Sequence, residues 1–135
     1  MKKICIALLI MVTLFMLCAC GEYVNSYSAT RLKISRVGDE ASIEFSTFKG
    51  TYNFKLKRDD TAEHTLDVEY SLAEGEINIY IGVDGGKDLL LTVKGGERYD
   101  KTIPLDAKYD NEKSIYVVVE TNGKCVNGNF EFEYN

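Results

Sequence analysis

The chain has 135 residues, a single histidine, no tryptophan and a formal net charge of −5, with 45% of its residues apolar. That length suits one domain, and an acidic balance without a lysine–arginine cluster excludes the electrostatic footprint of a nucleic-acid binder. It argues equally against docking on anionic lipid by charge alone.

The first segment, Met1 to Cys20, differs in kind from the rest. Lys2 and Lys3 precede residues 4–17, which are apolar apart from Thr13, about the length of a secretory core and short for a membrane span. It closes on Leu17-Cys18-Ala19-Cys20: an aliphatic residue, a tolerant position, a small residue and a cysteine. This run resembles the lipobox of bacterial lipoproteins. The resemblance implies cleavage between Ala19 and Cys20, a diacylglyceryl thioether on Cys20 and an acylated new N-terminus, of the kind that carries palmitate. The other reading is an ordinary secretory signal that leaves Cys20 unmodified. On the lipoprotein reading, residues 1–19 are a leader, 20–29 a lipidated tether and 30–135 the folded domain. The protein is then extracytoplasmic and anchored to the bacterial cell membrane by lipid. Loss of Lys2 and Lys3 takes the net charge from −5 to −7. Cys5 and Cys18 leave with the leader and Cys20 is consumed, so Cys125 has no intramolecular partner and the core must hold without a disulfide.

From Thr30 onward the dominant period is two, the spacing of half-buried strands. Leu32 and Ile34 lead to a turn at Gly38-Asp39, and Ile43 and Phe45 follow. Tyr52, Phe54 and Leu56 alternate with Asn53, Lys55 and Lys57, and residues 58–63 form a polar loop. Leu66, Val68, Tyr70 and Leu72 form the next inward row, then Ile77, Ile79 and Ile81, then Leu89, Leu91 and Val93. A weaker strand ends near Ile103-Pro104, where proline suits an edge. Residues 114–120 and 126–134 make two last strands around Asn122-Gly123, a dipeptide suited to a type I′ hairpin turn. That register sets Val119 opposite Val126, Val117 opposite Gly128 and Ile115 opposite Phe130. It turns Cys125 outward as an exposed thiol.

Eight or nine short strands spaced by Gly, Asp and Asn predict an all-β, two-sheet antiparallel sandwich, jelly-roll-like in connectivity, with an immunoglobulin-like arrangement as the alternative. The layout from Tyr52 through residues 77–81 to 114–119 resembles the small jelly-roll modules appended to secreted bacterial enzymes. It resembles equally the small bacterial lipoproteins of unknown function.

Candidate sites are few. Tyr80 and Tyr116 interrupt the alternation on two strands whose other face is also apolar. They form either an aromatic platform for a sugar or peptide, or a surface covered by the tether through Tyr23 or Tyr27. Asp84, Asp88, Asp106 and Asp110 are the weak calcium candidates, set in acidic loops that match no calcium-loop spacing. His64 and Cys125 have no protease-like surroundings, and no nucleotide, esterase or zinc-peptidase motif occurs. The expectation is a monomeric, non-enzymatic binding or interaction module without a cofactor, taking a protein or glycan ligand. Its alternative is a carbohydrate-binding module with structural calcium.

Overall fold

The computed structural model describes residues 23–59 and 63–135. Residues 1–19, read as a leader, and Cys20, read as the lipidation site, lie outside the described residues. Among the described residues there are nine strands: β1 (Ser26–Thr30), β2 (Lys33–Val37), β3 (Glu40–Lys57), β4 (Thr65–Glu74), β5 (Glu76–Gly82), β6 (Asp88–Lys94), β7 (Arg98–Pro104), β8 (Ser114–Thr121) and β9 (Cys125–Tyr134). A short 3-10 turn, Ala107–Tyr109, joins β7 to β8. Every pairing is antiparallel, and all nine strands belong to one sheet in the order β6-β5-β8-β3-β9-β4-β7, with β1 and β2 on the other side of β3.

That sheet is folded over on itself. Residues 40–48 of β3 pair with β9, and residues 51–57 pair with β8, so β8 and β9 run end to end along one side of β3. β4 and β5 run end to end along the other side of β9 and β8 in the same way. β6 and β7 repeat the pattern against β5 and β4. Each ribbon bends at the same level, and the bends together form a crease. Gly50 and Gly75 sit in it at φ +129° and +105°, backbone conformations that a side chain disfavours. Phe45 and Phe48 are both buried, three residues apart, because β3 changes phase there and brings a second aromatic inward.

The fold yields two packed leaves. The tyrosine leaf is β6, β5, β8 and residues 51–57 of β3; the acidic leaf is residues 40–48 of β3 with β2, β9, β4 and β7. Their inner rows share one core, in which Phe54 meets Phe132 across the sandwich at 6.1 Å between ring centroids. Ile79 and Val117 are fully buried on neighbouring strands, as the alternation predicts. Opposite the crease, Arg58 closes the sandwich. The polar loop expected at residues 58–63 begins with this buried guanidinium, which lies 4.4 Å from the centre of the Tyr134 ring. It donates to the carbonyls of Asn135 and Asp110 at 2.9 and 2.8 Å.

The structure departs from several sequence expectations. Asn122-Gly123 is not a hairpin turn: Val119 pairs with Tyr52 and Ile79, and Val126 with Thr47 and Glu74. Local turn chemistry favours a hairpin, but the bend is equally served by residues that tolerate positive φ, and β3 offers β8 and β9 a partner of their combined length. Cys125 is consequently fully buried in the crease, its thiol directed at the Glu76 carbonyl, rather than exposed. In β6, a bulge opposite Ile79 and Tyr80 shifts the phase, so Leu89 is 57% exposed where alternation places it inward. Strand pairing also starts at Ser26, inside the stretch read as tether.

Candidate functional site

The outward surface of the acidic leaf is an ordered array. Pairing of β2, β3, β9, β4 and β7 lays down three cross-strand rows: Val37-Glu40-Glu133-Asp67-Thr102, Ser35-Ser42-Glu131-Glu69-Asp100 and Lys33-Glu44-Asn129-Ser71-Arg98. At about 4.8 Å between strands and about 6.7 Å between alternate residues, the array covers roughly 19 by 13 Å. A groove of about 410 Å³ crosses the first two rows, bordered by Ser35, Ser42, Asp67, Glu69, Asp100 and Glu133. It shares Glu69, Asp100 and Glu131 with a second depression that reaches Tyr99 and Arg98. A third carries it to Asn127 and Arg31 near the crease.

The electrostatics of this face are unfavourable to folding. Glu133 lies directly opposite Glu40 and Asp67, and Glu69 directly opposite Glu131 and Asp100. Like charges in facing positions of an antiparallel pair destabilise it. Among the described residues, none of these six carboxylates has a salt-bridge partner; the three ion pairs lie elsewhere. Asp67 is eased by neutral donors, the Thr102 hydroxyl at 2.7 Å and the Asn135 amide at 3.1 Å. Glu133 is not. Partial desolvation, then the nearby carboxylates of Glu40, Asp39, Asp67 and Glu63, hold its carboxyl above the ordinary glutamate value.

No protein-family model matches the sequence, and no curated protein does. Among solved structures, the chain is similar to CsCBM6-3 from Clostridium stercorarium in complex with cellobiose, with 16% identity and a TM-score of 0.42 over 82% of this chain and 86% of that one. It is similar to a variant of a family 29 carbohydrate-binding module, with 17% identity and a TM-score of 0.44 over 84% and 82% of the two chains. Protein NMB1881 from Neisseria meningitidis gives 16% identity and a TM-score of 0.38 over 84% of this chain and all of that one. These are likenesses of fold. The chemistry of the site rests on its own residues.

The residues singled out in the sequence lie elsewhere. Tyr80 and Tyr116 do share one surface, the outside of the tyrosine leaf, but the chain itself covers both. The Tyr23 ring packs tilted against Tyr116 at 4.5 Å between centroids, and Lys87 lies 4.3 Å from the Tyr80 ring centre while bonding Glu120 at 2.8 Å. Val118 between them is buried. The acidic-loop residues are engaged locally. Asp88 pairs with Lys108 and accepts from the Tyr109 hydroxyl, contacts that hold its carboxyl below the ordinary value, while burial first and the Asp88 carboxylate second push the Tyr109 phenol up. Asp106 caps the 3-10 turn through the Lys108 N–H at 3.0 Å, Asp110 faces His64 at 3.5 Å, and Asp84 turns the chain at positive φ. Among the described residues no three such groups converge to hold a metal ion. His64 and Cys125 sit at opposite ends of the sandwich, one beside Asp110 and the other in the crease.

Alternation with the inward rows Leu66-Val68-Tyr70-Leu72 and Phe130-Phe132-Tyr134 turns Asp67, Glu69, Glu131 and Glu133 outward, strand by strand. The signal that would have raised them was pairing between β4 and β9, about sixty residues apart, which a single strand pattern does not contain.

Proposed function

We propose that the chain is a lipid-anchored, extracytoplasmic, non-catalytic binding module whose acidic face takes a neutral or amino-bearing oligosaccharide. The lipobox at Leu17-Cys18-Ala19-Cys20 supports the anchor. The observation that carries the binding face is the pair of rows Glu40-Glu133-Asp67 and Glu131-Glu69-Asp100, repelling charges that have no salt-bridge partner among the described residues, in a shallow groove. A fold that keeps such an arrangement gives up stability for a surface rich in hydrogen-bond acceptors, the usual signature of a site under functional demand. Carboxylates with nearby serine hydroxyls and the Asn129 amide match the hydroxyls and ammonium groups of sugars, and their charge rejects anionic polymers. The groove is shallow and open along the sheet, an arrangement that suits holding an extended ligand on its surface.

Glycan-array screening and calorimetry of the detergent-solubilised full chain test the ligand class. Glu131→Gln and Glu69→Gln should each weaken binding about tenfold, the loss expected when a charge-assisted hydrogen bond becomes a neutral one. Chelator should change nothing, because among the described residues no three acidic or histidine groups converge to hold a metal ion. Binding that is unaltered by both substitutions, or confined to cationic peptides, overturns the reading. For the anchor, mass spectrometry should show cleavage before Cys20 and at least two acyl chains, and Cys20→Ala should release or misprocess the protein; full membrane retention of that variant refutes lipidation.

A further inference from the structure

We infer that the domain sits on the membrane with its tyrosine leaf toward the lipid and its acidic face toward solvent, held in that attitude by Tyr23. The inference rests on the reading of Cys20 as the lipidated residue.

Tyr23 is fastened rather than loose. Its ring packs tilted against Tyr116, and its phenol donates to the Gly86 carbonyl. The seat beneath it exists because Gly82, opposite Tyr116 on β5, has no side chain; a Cβ there would collide with the Tyr23 phenol. Two residues on, the Asn25 side-chain oxygen accepts from the Asn53 backbone N–H at 2.9 Å and from its side-chain amide at 2.6 Å. At Ser26 the chain enters β1. The segment from Tyr23 to Asn25 is thus a strap tied at both ends across the outside of the tyrosine leaf.

Cys20 precedes Tyr23 by three residues. Even fully extended, that stretch spans at most about 10 Å. A lipid on Cys20 is therefore confined to the neighbourhood of Tyr116 and the turn between β5 and β6. The acidic face lies beyond the whole sandwich, whose leaves alone are about 10 Å apart, and is out of reach. Charge acts in the same sense. Lys55 and Lys57 stand exposed on the tyrosine leaf, whereas the opposite face carries Glu40, Glu133, Asp67, Glu131, Glu69 and Asp100. Within a Debye length of about 10 Å of an anionic lipid surface, lysines are drawn in and carboxylates pushed off. The lipid supplies the attachment; strap and charge set which side faces it, leaving the groove open to ligand.

The test uses the full lipidated chain in phosphatidylcholine–phosphatidylglycerol vesicles, with a fluorophore on a single introduced cysteine, Lys55→Cys or Ser35→Cys, and a headgroup-labelled quencher lipid. Both positions are exposed, one on each leaf. Quenching at position 55 should exceed that at position 35 several-fold. Adding Tyr23→Ser should lower the ratio markedly, leaving only the part due to charge, which high salt removes, while the protein still sediments with vesicles. Equal quenching at the two positions with Tyr23 in place overturns the orientation, and an unchanged ratio in Tyr23→Ser overturns the strap. Protein that stays in the supernatant refutes lipidation, and the inference with it, so sedimentation separates the two failures.

Discussion

Glu133→Gln isolates the electrostatic conflict on the acidic face, since the side chain keeps its shape and loses only its charge. Glu133 faces Glu40 on β3 and Asp67 on β4. Each like-charged facing pair destabilises by about 0.2–1 kcal/mol, and solvent screening at this partly exposed position favours the lower part of that range. Relief of two such contacts should stabilise the variant by about 0.5–1 kcal/mol at pH 7. The pH dependence has a fixed sign. A carboxyl held above its ordinary value binds its proton more tightly folded than unfolded. Its contribution is full below the unfolded-chain value and is lost as pH rises through the raised folded one. Natural protein and variant should therefore coincide in stability near pH 4 and separate as the pH climbs to 7, with the difference shrinking in high salt. Urea unfolding at several pH values, with the slope m unchanged between the two proteins, reads this directly. Glycan affinity should move the opposite way, falling as stability rises. A variant no more stable at pH 7, or one stabilised equally at pH 4, would refute the electrostatic account of this face.

The crease and core give further expectations. Gly75→Ala should destabilise by about 2–4 kcal/mol, because a Cβ at φ +105° would lie 2.6 Å from the Cys125 sulfur and 2.9 Å from its Cα; a loss below about 1 kcal/mol in urea unfolding would mean the bend does not need glycine. Ile79→Ala, at a fully buried position, should lose about 2–5 kcal/mol by the same assay, and a loss near zero would contradict its place between the leaves. Burial pushes the Cys125 thiol above its ordinary value, so a thiol reagent at neutral pH should label it only after denaturation; rapid labelling of the native protein would show that the crease opens.

Alternation of apolar and polar residues was enough to determine an all-β chain and most of its inner rows. Residues 66–72 and 77–81 could bury one side only as strands, and Ile79, Val117, Phe130, Phe132 and Tyr134 are buried accordingly. The outward directions of Asp67, Glu69, Glu131 and Glu133 were legible for the same reason. Which outward rows would become neighbours was not. Asn122-Gly123 is locally as good a hairpin as a bend, and the choice fell to β3, whose eighteen residues pair with β8 and β9 in line and so turn Cys125 inward. The same long-range pairing brought β4 beside β9 and set carboxylate against carboxylate. Tyr80 and Tyr116 likewise stood out in the sequence, but only the path of residues 23–25 decided that Tyr116 would lie under the chain's own Tyr23. Strand direction is a property of two-residue periodicity and is written locally. Strand neighbours depend on which edges remain unpaired once the sheet has folded over, and that is settled by the whole chain at once.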